Sequence, residues 1–455
     1  MKPLLSCLLL PKSFTRTGIR CVRKVVRPSQ LKETLFPELE QDSHAQLKAD
    51  LSGFAPELAS NPQMKTASQA QNKKFTANLG EKKPSFSKNQ PESSPDPFKA
   101  IQNKAFLQSQ EKITAPAKEY RKEKLPKSMT KVLKFDHIPI AEQVVVMFPG
   151  QGAQHLRMGE KVIDHPSSAA LFEEASEFLQ YNLLDICRKG PKSTLDQTIY
   201  CQMAVFVSSM AALEKLKAVQ PGLADRITDA AGFSIGEYCA LTSSGAISFQ
   251  DALKVIKVRA EGMHECSQIA SSGMMTVRTT AVSNLDLAMF EARKEAKEKY
   301  EWAICDVANY LYCGVKVVGG TNICLDYLES NANRLQYQVI KRLPVSGAFH
   351  TLLMAPAQQK VEEVLANITI NIPKINIYSN FSGKLYPQNE AKIRSYLVKQ
   401  ISNPVKWEQI IQLLFRKHQD YVFPSYFEVG PGRQLGTILA QVSTKAYKNY
   451  VHHPC

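Results

Sequence analysis

Asp229-Ala230-Ala231-Gly232-Phe233-Ser234-Ile235-Gly236-Glu237 is a run of small residues that closes on a G-x-S-x-G set. A short apolar stretch enters it, and Glu237 to Leu241 beyond it reads as helix, so the segment predicts strand, sharp turn and helix. Glycines on both sides of Ser234 permit a turn tight enough to lift its hydroxyl out of a sheet, and the helix N-terminus aims amide dipoles at it. The plainer alternative is a glycine-flanked helix with Ser234 as its N-cap. Upstream, Val144-Val145-Val146-Met147-Phe148 is a buried-strand pattern that stops at Pro149-Gly150, and Ser208 to Val219 has helical spacing. Strand, turn and helix in repetition argue an α/β core with a mainly parallel sheet.

Residues 273–341 follow another order. M-M-T-V, a helical run from Asn284 to Lys299, A-I-C-D-V-A-N, V-K-V-V-G-G, a second helical run from Leu325 to Leu335, and Y-Q-V-I-K-R-L spell βαββαβ. That is the ferredoxin-like pattern, expected as a small subdomain inserted in the larger core.

The chain has 455 residues, 44% of them hydrophobic, enough for a substantial core. Its formal charge of +15 is unevenly spread: the first 130 residues hold 23 basic and 12 acidic side chains, the rest 34 and 30. A folded part so nearly balanced argues against a nucleic-acid footprint. Residues 1–30 carry seven basic residues and no acid, with Ser and Thr interleaved, the composition of a mitochondrial transit peptide expected over 1–29. A secretory signal is the rival, but Pro11 cuts its apolar run short. From 30 to 132 the chain is rich in Lys, Ser, Gln, Asn and Pro and is expected to be disordered. No stretch is apolar for long enough to span a membrane. The ten cysteines form no C-x-x-C pair and read as buried thiols.

Three further places can carry chemistry. Phe148-Pro149-Gly150-Gln151-Gly152-Ala153-Gln154 is a loop able to present backbone N–H groups to an anion, or an ordinary Pro-Gly turn. His350, closing V-S-G-A-F-H, is either a catalytic base brought to a distant serine or a satisfied core histidine. Arg259, flanked by Val255, Ile256 and Val258 on a helical run, is either an inward guanidinium that needs a carboxylate or half of a surface salt bridge.

Together these segments resemble the malonyl-CoA:acyl-carrier-protein transacylases of fatty acid synthesis, most nearly the mitochondrial form. The resemblance runs from about Val144 to Tyr450 through F-P-G-Q-G-A-Q (148–154), G-F-S-I-G-E-Y (232–238), V-R-A-E-G-M (258–263), V-S-G-A-F-H-T (345–351), S-N-P-V-K-W (402–407) and F-E-V-G-P-G-R-Q-L (427–435). It implies an α/β fold with a large α/β-hydrolase-like core over 133–272 and 342–450, and the small ferredoxin-like subdomain over 273–341. It further implies that Ser234 is the acyl-accepting nucleophile, His350 its general base, and the N–H groups of Gln151 and Ile235 the oxyanion hole. Arg259 would hold the malonyl carboxylate and the main-chain carbonyl of Gln400 would orient His350. Asn309 would border the acyl pocket. Phe349 would favour malonyl over methylmalonyl, because A-F-H accompanies malonyl selection in related polyketide acyltransferase domains. Phe233 replaces the histidine that many members have before the nucleophile.

The resemblance implies a ping-pong transfer from malonyl-CoA to mitochondrial acyl carrier protein in the matrix, with no metal or bound cofactor, since a thioester is already activated. Lys254, Lys257, Lys406 and Arg433 are candidates for steering an acidic carrier protein. Two other readings compete. A lipase-like or thioesterase-like serine hydrolase shares G-x-S-x-G but has no call for Arg259 or the F-P-G-Q-G-A-Q loop. A non-catalytic protein using its basic tail on RNA or anionic lipid has little charge to work with beyond residue 30.

Overall fold

The computed structural model describes residues 132–299 and 302–455. The transit peptide expected over 1–29 lies outside the described residues, as does the polar extension of 30–132 except for its last residue.

Two sheets organise the described chain. The first runs β11-β10-β1-β2-β7-β8, with β1 at Val144–Phe148, β2 at Ile227–Gly232, β7 at Asn376–Ser379, β8 at Lys384–Leu385, β10 at Ser425–Val429 and β11 at Tyr450–His453. All neighbours in it are parallel except the β7–β8 pair. Every residue of β1 and β2 is buried, as expected for central parallel strands covered by helices on both faces. Helices α1 (Pro166–Leu179), α2 (Thr198–Val219), α3 (Gly236–Ser243) and α4 (Phe249–Ser267) belong to this layer.

Register sets the position of the chemistry. Met147 pairs with Ala231 and Phe148 with Gly232, so β1 and β2 end level and their following loops emerge side by side. Neighbour β10 lies on the other side of β1, which makes this end the switch point where open parallel sheets bind ligands.

The second sheet runs β6-β3-β5-β4-β9, with β3 at Ser272–Arg278, β4 at Cys305–Tyr312, β5 at Val315–Thr321, β6 at Gln338–Leu343 and β9 at Val405–Lys406. Its first four strands are antiparallel, and α5 (Leu285–Lys299) and α6 (Asn322–Asn331) supply Leu285, Ala288, Met289, Leu325 and Leu328 to one face. Alternation divides each strand. Met275, Val277 and Val318 join those helices, while Met274, Val317 and Ala308 join the core of the first sheet. The fifth strand, β9, is unexpected: two residues from far along the chain pair parallel with β4, Val405 opposite Asn309 and Lys406 opposite Tyr310. Three more helices complete the frame, α7 (Ala355–Ala366), α8 (Glu390–Gln400) and α9 (Trp407–Phe415). One expectation needs correcting among the eight described cysteines: seven are buried thiols, but Cys313, in the turn between β4 and β5, is exposed.

Candidate active site

Ser234 stands between the end of β2 and the start of α3 with φ +54°, a left-handed conformation that costs a non-glycine residue roughly 1–2 kcal/mol. The flanking glycines make the turn possible. A Cβ on Gly232 would lie 1.8 Å from Gly236 O, and one on Gly236 would lie 2.3 Å from Phe148 O. The turn is therefore pressed against the end of β1, where Phe233 N–H also donates to Phe148 O at 2.9 Å. Ser234 is not the N-cap: Ile235 holds that place, and its side chain makes no capping bond.

Three groups meet at the Ser234 hydroxyl. His350 Nε2 is 2.8 Å from Oγ, and His350 Nδ1 is 2.8 Å from the main-chain oxygen of Gln400. A carbonyl only accepts, so Nδ1 carries the proton and Nε2 is the free acceptor for the serine proton. Burial, aided by the Arg259 charge, pushes the His350 pKa down to about 3 against the pull of the Gln400 carbonyl. The imidazole is thus neutral, and ready to accept, throughout the physiological range. His350 shares with Ser234 a positive φ, +59°, and such strained backbone concentrates at working sites.

Arg259 lies on the apolar face of α4, which starts at the Ser248 N-cap and buries Ala252, Val255, Ile256, Arg259, Ala260 and Met263 at helical spacing. Its guanidinium is 1% exposed, which rules out the surface salt bridge left open by the sequence. Nη2 donates to Ser234 Oγ at 3.0 Å and to Gln400 Oε1 at 3.0 Å, and Nη1 donates to Gln202 Oε1. The Nε has no partner, and Arg259 forms no ion pair among the described residues. Burial holds its pKa below the usual arginine value, opposed by Tyr238 and Glu237.

The remaining expected residues distribute as follows. Gln400 does more than orient His350, because its side chain also touches Arg259, donates to Ser234 O at 2.8 Å and donates to Glu237 Oε2 at 3.0 Å. Ser234 N–H donates to Asn380 Oδ1 at 2.7 Å and so is unavailable to an oxyanion. The N–H groups of Ile235 and Gln151 have no acceptor among the described residues, while the Gln151 side chain donates to Thr198 Oγ1 at 3.3 Å. Phe349 is packed into the main core, and Thr351 presses on β5, where a Cβ on Gly319 would lie 2.7 Å from its methyl group. Asn309, on β4 beside β9, is buried with its Oδ1 unpartnered, but makes no bond to Ser234, His350 or Arg259. Among the described residues no group of three or more His, Cys, Asp or Glu side chains could hold a metal.

Sequence reasoning missed Gln202, Glu237, Asn380 and Tyr386. Glu237 had a legible sign, a lone carboxylate in an otherwise apolar helical run directly after the turn.

Residues 145–424 match the model of the acyl transferase domain. The chain is 42% identical over 317 residues to a mitochondrial malonyl-CoA-acyl carrier protein transacylase of Mus musculus, covering 69% of this chain and 82% of that one. Against the Homo sapiens protein of the same description it is 40% identical over 307 residues, 67% and 78% of the two chains. Among solved structures, the malonyl CoA-acyl carrier protein transacylase of Coxiella burnetii superposes with a TM-score of 0.61 at 26% identity, over 69% of this chain and 94% of its own. A malonyl-transacylase in complex with its type II PKS acyl-carrier protein gives 0.59 at 26% identity, over 69% and 96%. With the family model spanning most of the folded region and these relatives covered over most of their length, the chain belongs to the acyl transferase domain family, among the malonyl-CoA-acyl carrier protein transacylases.

Proposed function

We propose that Ser234 carries a malonyl group from malonyl-CoA to the phosphopantetheine thiol of mitochondrial acyl carrier protein. The observation that carries this reading is the Ser234 hydroxyl held between a neutral imidazole and a buried guanidinium with no carboxylate of its own. Ser234 Oγ attacks the thioester carbonyl as its proton passes to His350 Nε2. The tetrahedral oxyanion accepts from the N–H groups of Ile235 and Gln151. Collapse breaks the C–S bond, and the departing CoA sulfur takes the proton from His350. In the second half the carrier thiol gives its proton to His350 and attacks the malonyl-serine ester, restoring Ser234.

Arg259 binds the free malonyl carboxylate in a charge-assisted pair. Because the Arg259 charge lowers the basicity of His350, a bound carboxylate that offsets it strengthens the base. A malonyl thioester thereby promotes its own attack where an uncharged acyl group does not. Asn309, with its free Oδ1, borders the acyl pocket, and the Phe349 ring leaves little room for an α-methyl branch. The reaction needs no metal or bound cofactor.

The β6-β3-β5-β4 order with its two helices supports a ferredoxin-like small subdomain over 273–341. The parallel sheet with a nucleophile turn after β2 supports an α/β-hydrolase-like core over 133–272 and 342–450. Residues 1–29 are read as the transit peptide that takes the enzyme to the mitochondrion, and 30–132 as a polar extension.

For docking of the carrier protein the four basic candidates separate. Lys254 pairs with Asp251 at 2.8 Å and Lys257 with Glu261 at 2.7 Å, so each is neutralised on its own helix. The Arg433 charge acts on buried Glu428, opposing the rise that burial gives that carboxyl. Lys406 is different: with Lys399 it flanks the Phe381 ring, each ammonium 5.4 Å from the centroid, and burial and Lys384 hold its pKa down. None of these three lysines forms an ion pair among the described residues, and Phe381 adjoins Asn380, the partner of Ser234 N–H. This cluster is the docking surface we favour.

Brief exposure to malonyl-CoA followed by intact-mass spectrometry tests the reading. One malonyl group should appear on the wild type, be absent from Ser234→Ala, and be discharged by reduced carrier protein. An unmodified wild type with malonyl-CoA left intact would sink it.

A further inference from the structure

Gln400 touches Ser234, His350 and Arg259 together. Its main-chain oxygen accepts from His350, its Oε1 accepts from Arg259, and its Nε2 donates to Ser234 O. A glutamine amide is nearly symmetrical in shape, so something must decide which end faces which neighbour. Arg259 offers donors on one side, and on the other side stand two acceptors of Gln400 Nε2, Ser234 O at 2.8 Å and Glu237 Oε2 at 3.0 Å. A carboxylate and a main-chain carbonyl both only accept, so Glu237 and the Ser234 oxygen together oblige the amide to present its NH2 to them and its oxygen to Arg259.

Glu237 is itself held. Its Oε1 accepts from Asn380 N–H at 3.1 Å and from the Tyr386 hydroxyl, and Asn380 in turn donates from Nδ2 to Gly232 O and accepts the Ser234 N–H. One fully buried carboxylate therefore ties together the serine turn, the loop after β7 and the end of α8. Its charge faces Arg259 across the Gln400 amide without forming a direct ion pair, which leaves the guanidinium available to a ligand.

We infer that Glu237 is a positioning residue of the transfer reaction proposed above: by accepting the Gln400 amide alongside the Ser234 oxygen, it holds that side chain between Arg259 and the serine turn and thereby holds the alignment of His350 and Ser234. It touches no reacting atom. Its protonation state matters, since a neutral carboxyl is a weaker acceptor that can also donate, which loosens one of the two bonds holding the amide NH2. Burial raises the Glu237 pKa to about 7, opposed by bonds from Tyr386, Gln400 and Asn380 and by the Arg259 charge. The other titratable and charged groups facing this network are Arg259 on α4, Tyr238 on α3, Tyr386 after β8 and His350. The two tyrosines are raised by burial, to about 12 for Tyr238 and well above the usual value for Tyr386, and His350 is pushed down to about 3. In the free enzyme, before a bound carboxylate offsets the Arg259 charge on His350, a limb near pH 7 thus belongs to Glu237.

The test is the rate of Ser234 acylation by malonyl-CoA, read by rapid quench and intact mass between pH 5.5 and 9 (approximate working limits set by the carboxylate and tyrosine ranges). Wild type should gain rate as pH rises through about 7, when Glu237 ionises. Glu237→Gln should lose the limb and run at the acid limit of the wild type at every pH, on the order of 100-fold below its plateau, the scale of a misplacement of about 1 Å. Tyr386→Phe removes a donor that favours the carboxylate, so its limb should move to higher pH. Acylation of Glu237→Gln at the wild-type rate, or a slow variant that keeps the limb near 7, would overturn the inference. Should Glu237→Gln fail to fold, an unmoved limb in Tyr386→Phe would overturn it equally, and a moved one would support it. A wild type that forms no adduct removes the proposed reaction itself, whereas a normal wild-type adduct with an unchanged profile in both variants removes only the role of Glu237.

Discussion

The two sheets bury different things. Around the end of β1 and β2 the core holds Ser234, Glu237, Arg259 and His350, all buried and linked through the Ser234 hydroxyl and Gln400, on backbone strained at Ser234 and His350. The α5–α6 face of the second sheet holds Met275, Val277, Leu285, Met289, Val318, Leu325 and Leu328, an apolar core built by alternation. Stability in the second comes from area removed from water. In the first, buried polar groups are stable only as a complete network, so each is tied to its neighbours' chemistry. A change in the first should therefore register in rate and specificity, and a change in the second in stability alone.

The strongest blow to that contrast is aimed at Arg259. Arg259→Gln should cut kcat/KM for malonyl-CoA on the order of 1000-fold, the upper range for losing one partner of a buried charge pair, and should narrow the preference for malonyl-CoA over acetyl-CoA. Unchanged discrimination between the two thioesters would remove Arg259 from carboxylate recognition. Next in size, Leu325→Ala in the apolar core of the small sheet should cost about 2–5 kcal/mol in denaturant unfolding. At temperatures where the variant remains folded its acylation rate should stay within about twofold of wild type, since a distant apolar truncation leaves the polar network independent. A large loss of rate there would show that the two regions are not separable. The smallest effect is expected at the surface: Lys384→Glu with Lys399→Glu should raise KM for the carrier protein several-fold, roughly the range of exposed charge effects, and flatten its salt dependence. Acylation by malonyl-CoA should be unaffected, and an equal loss in both half-reactions would reassign the lysines to CoA.

Much of this was legible in the residues. The all-apolar V-V-V-M-F and the G-x-S-x-G turn announced buried parallel strands and a sharp turn, because burial on both faces and the absence of Cβ atoms leave few alternatives. The order of strands and helices in 273–341 likewise showed. What stayed hidden was whatever depends on a distant partner. Arg259 read equally as surface or core until α4 was packed, and Gln400 was expected to act through its carbonyl alone although its amide is the busier half. Asn380 sits in Y-S-N-F-S with nothing local to set it apart, since both groups its side chain bonds lie well over 100 residues earlier. β9 is too short for any periodicity.

That short strand bears on how the molecule can be taken apart. Residues 400–406 first hand a carbonyl to His350 and then, within one loop, sew Val405 and Lys406 onto the edge of β4. The unit written by 273–341 is therefore not a cassette. Exchanging it between relatives would cut a seam that the support of His350 crosses, so a chimera must carry the 400–406 stitch with it or lose the carbonyl that holds the His350 ring.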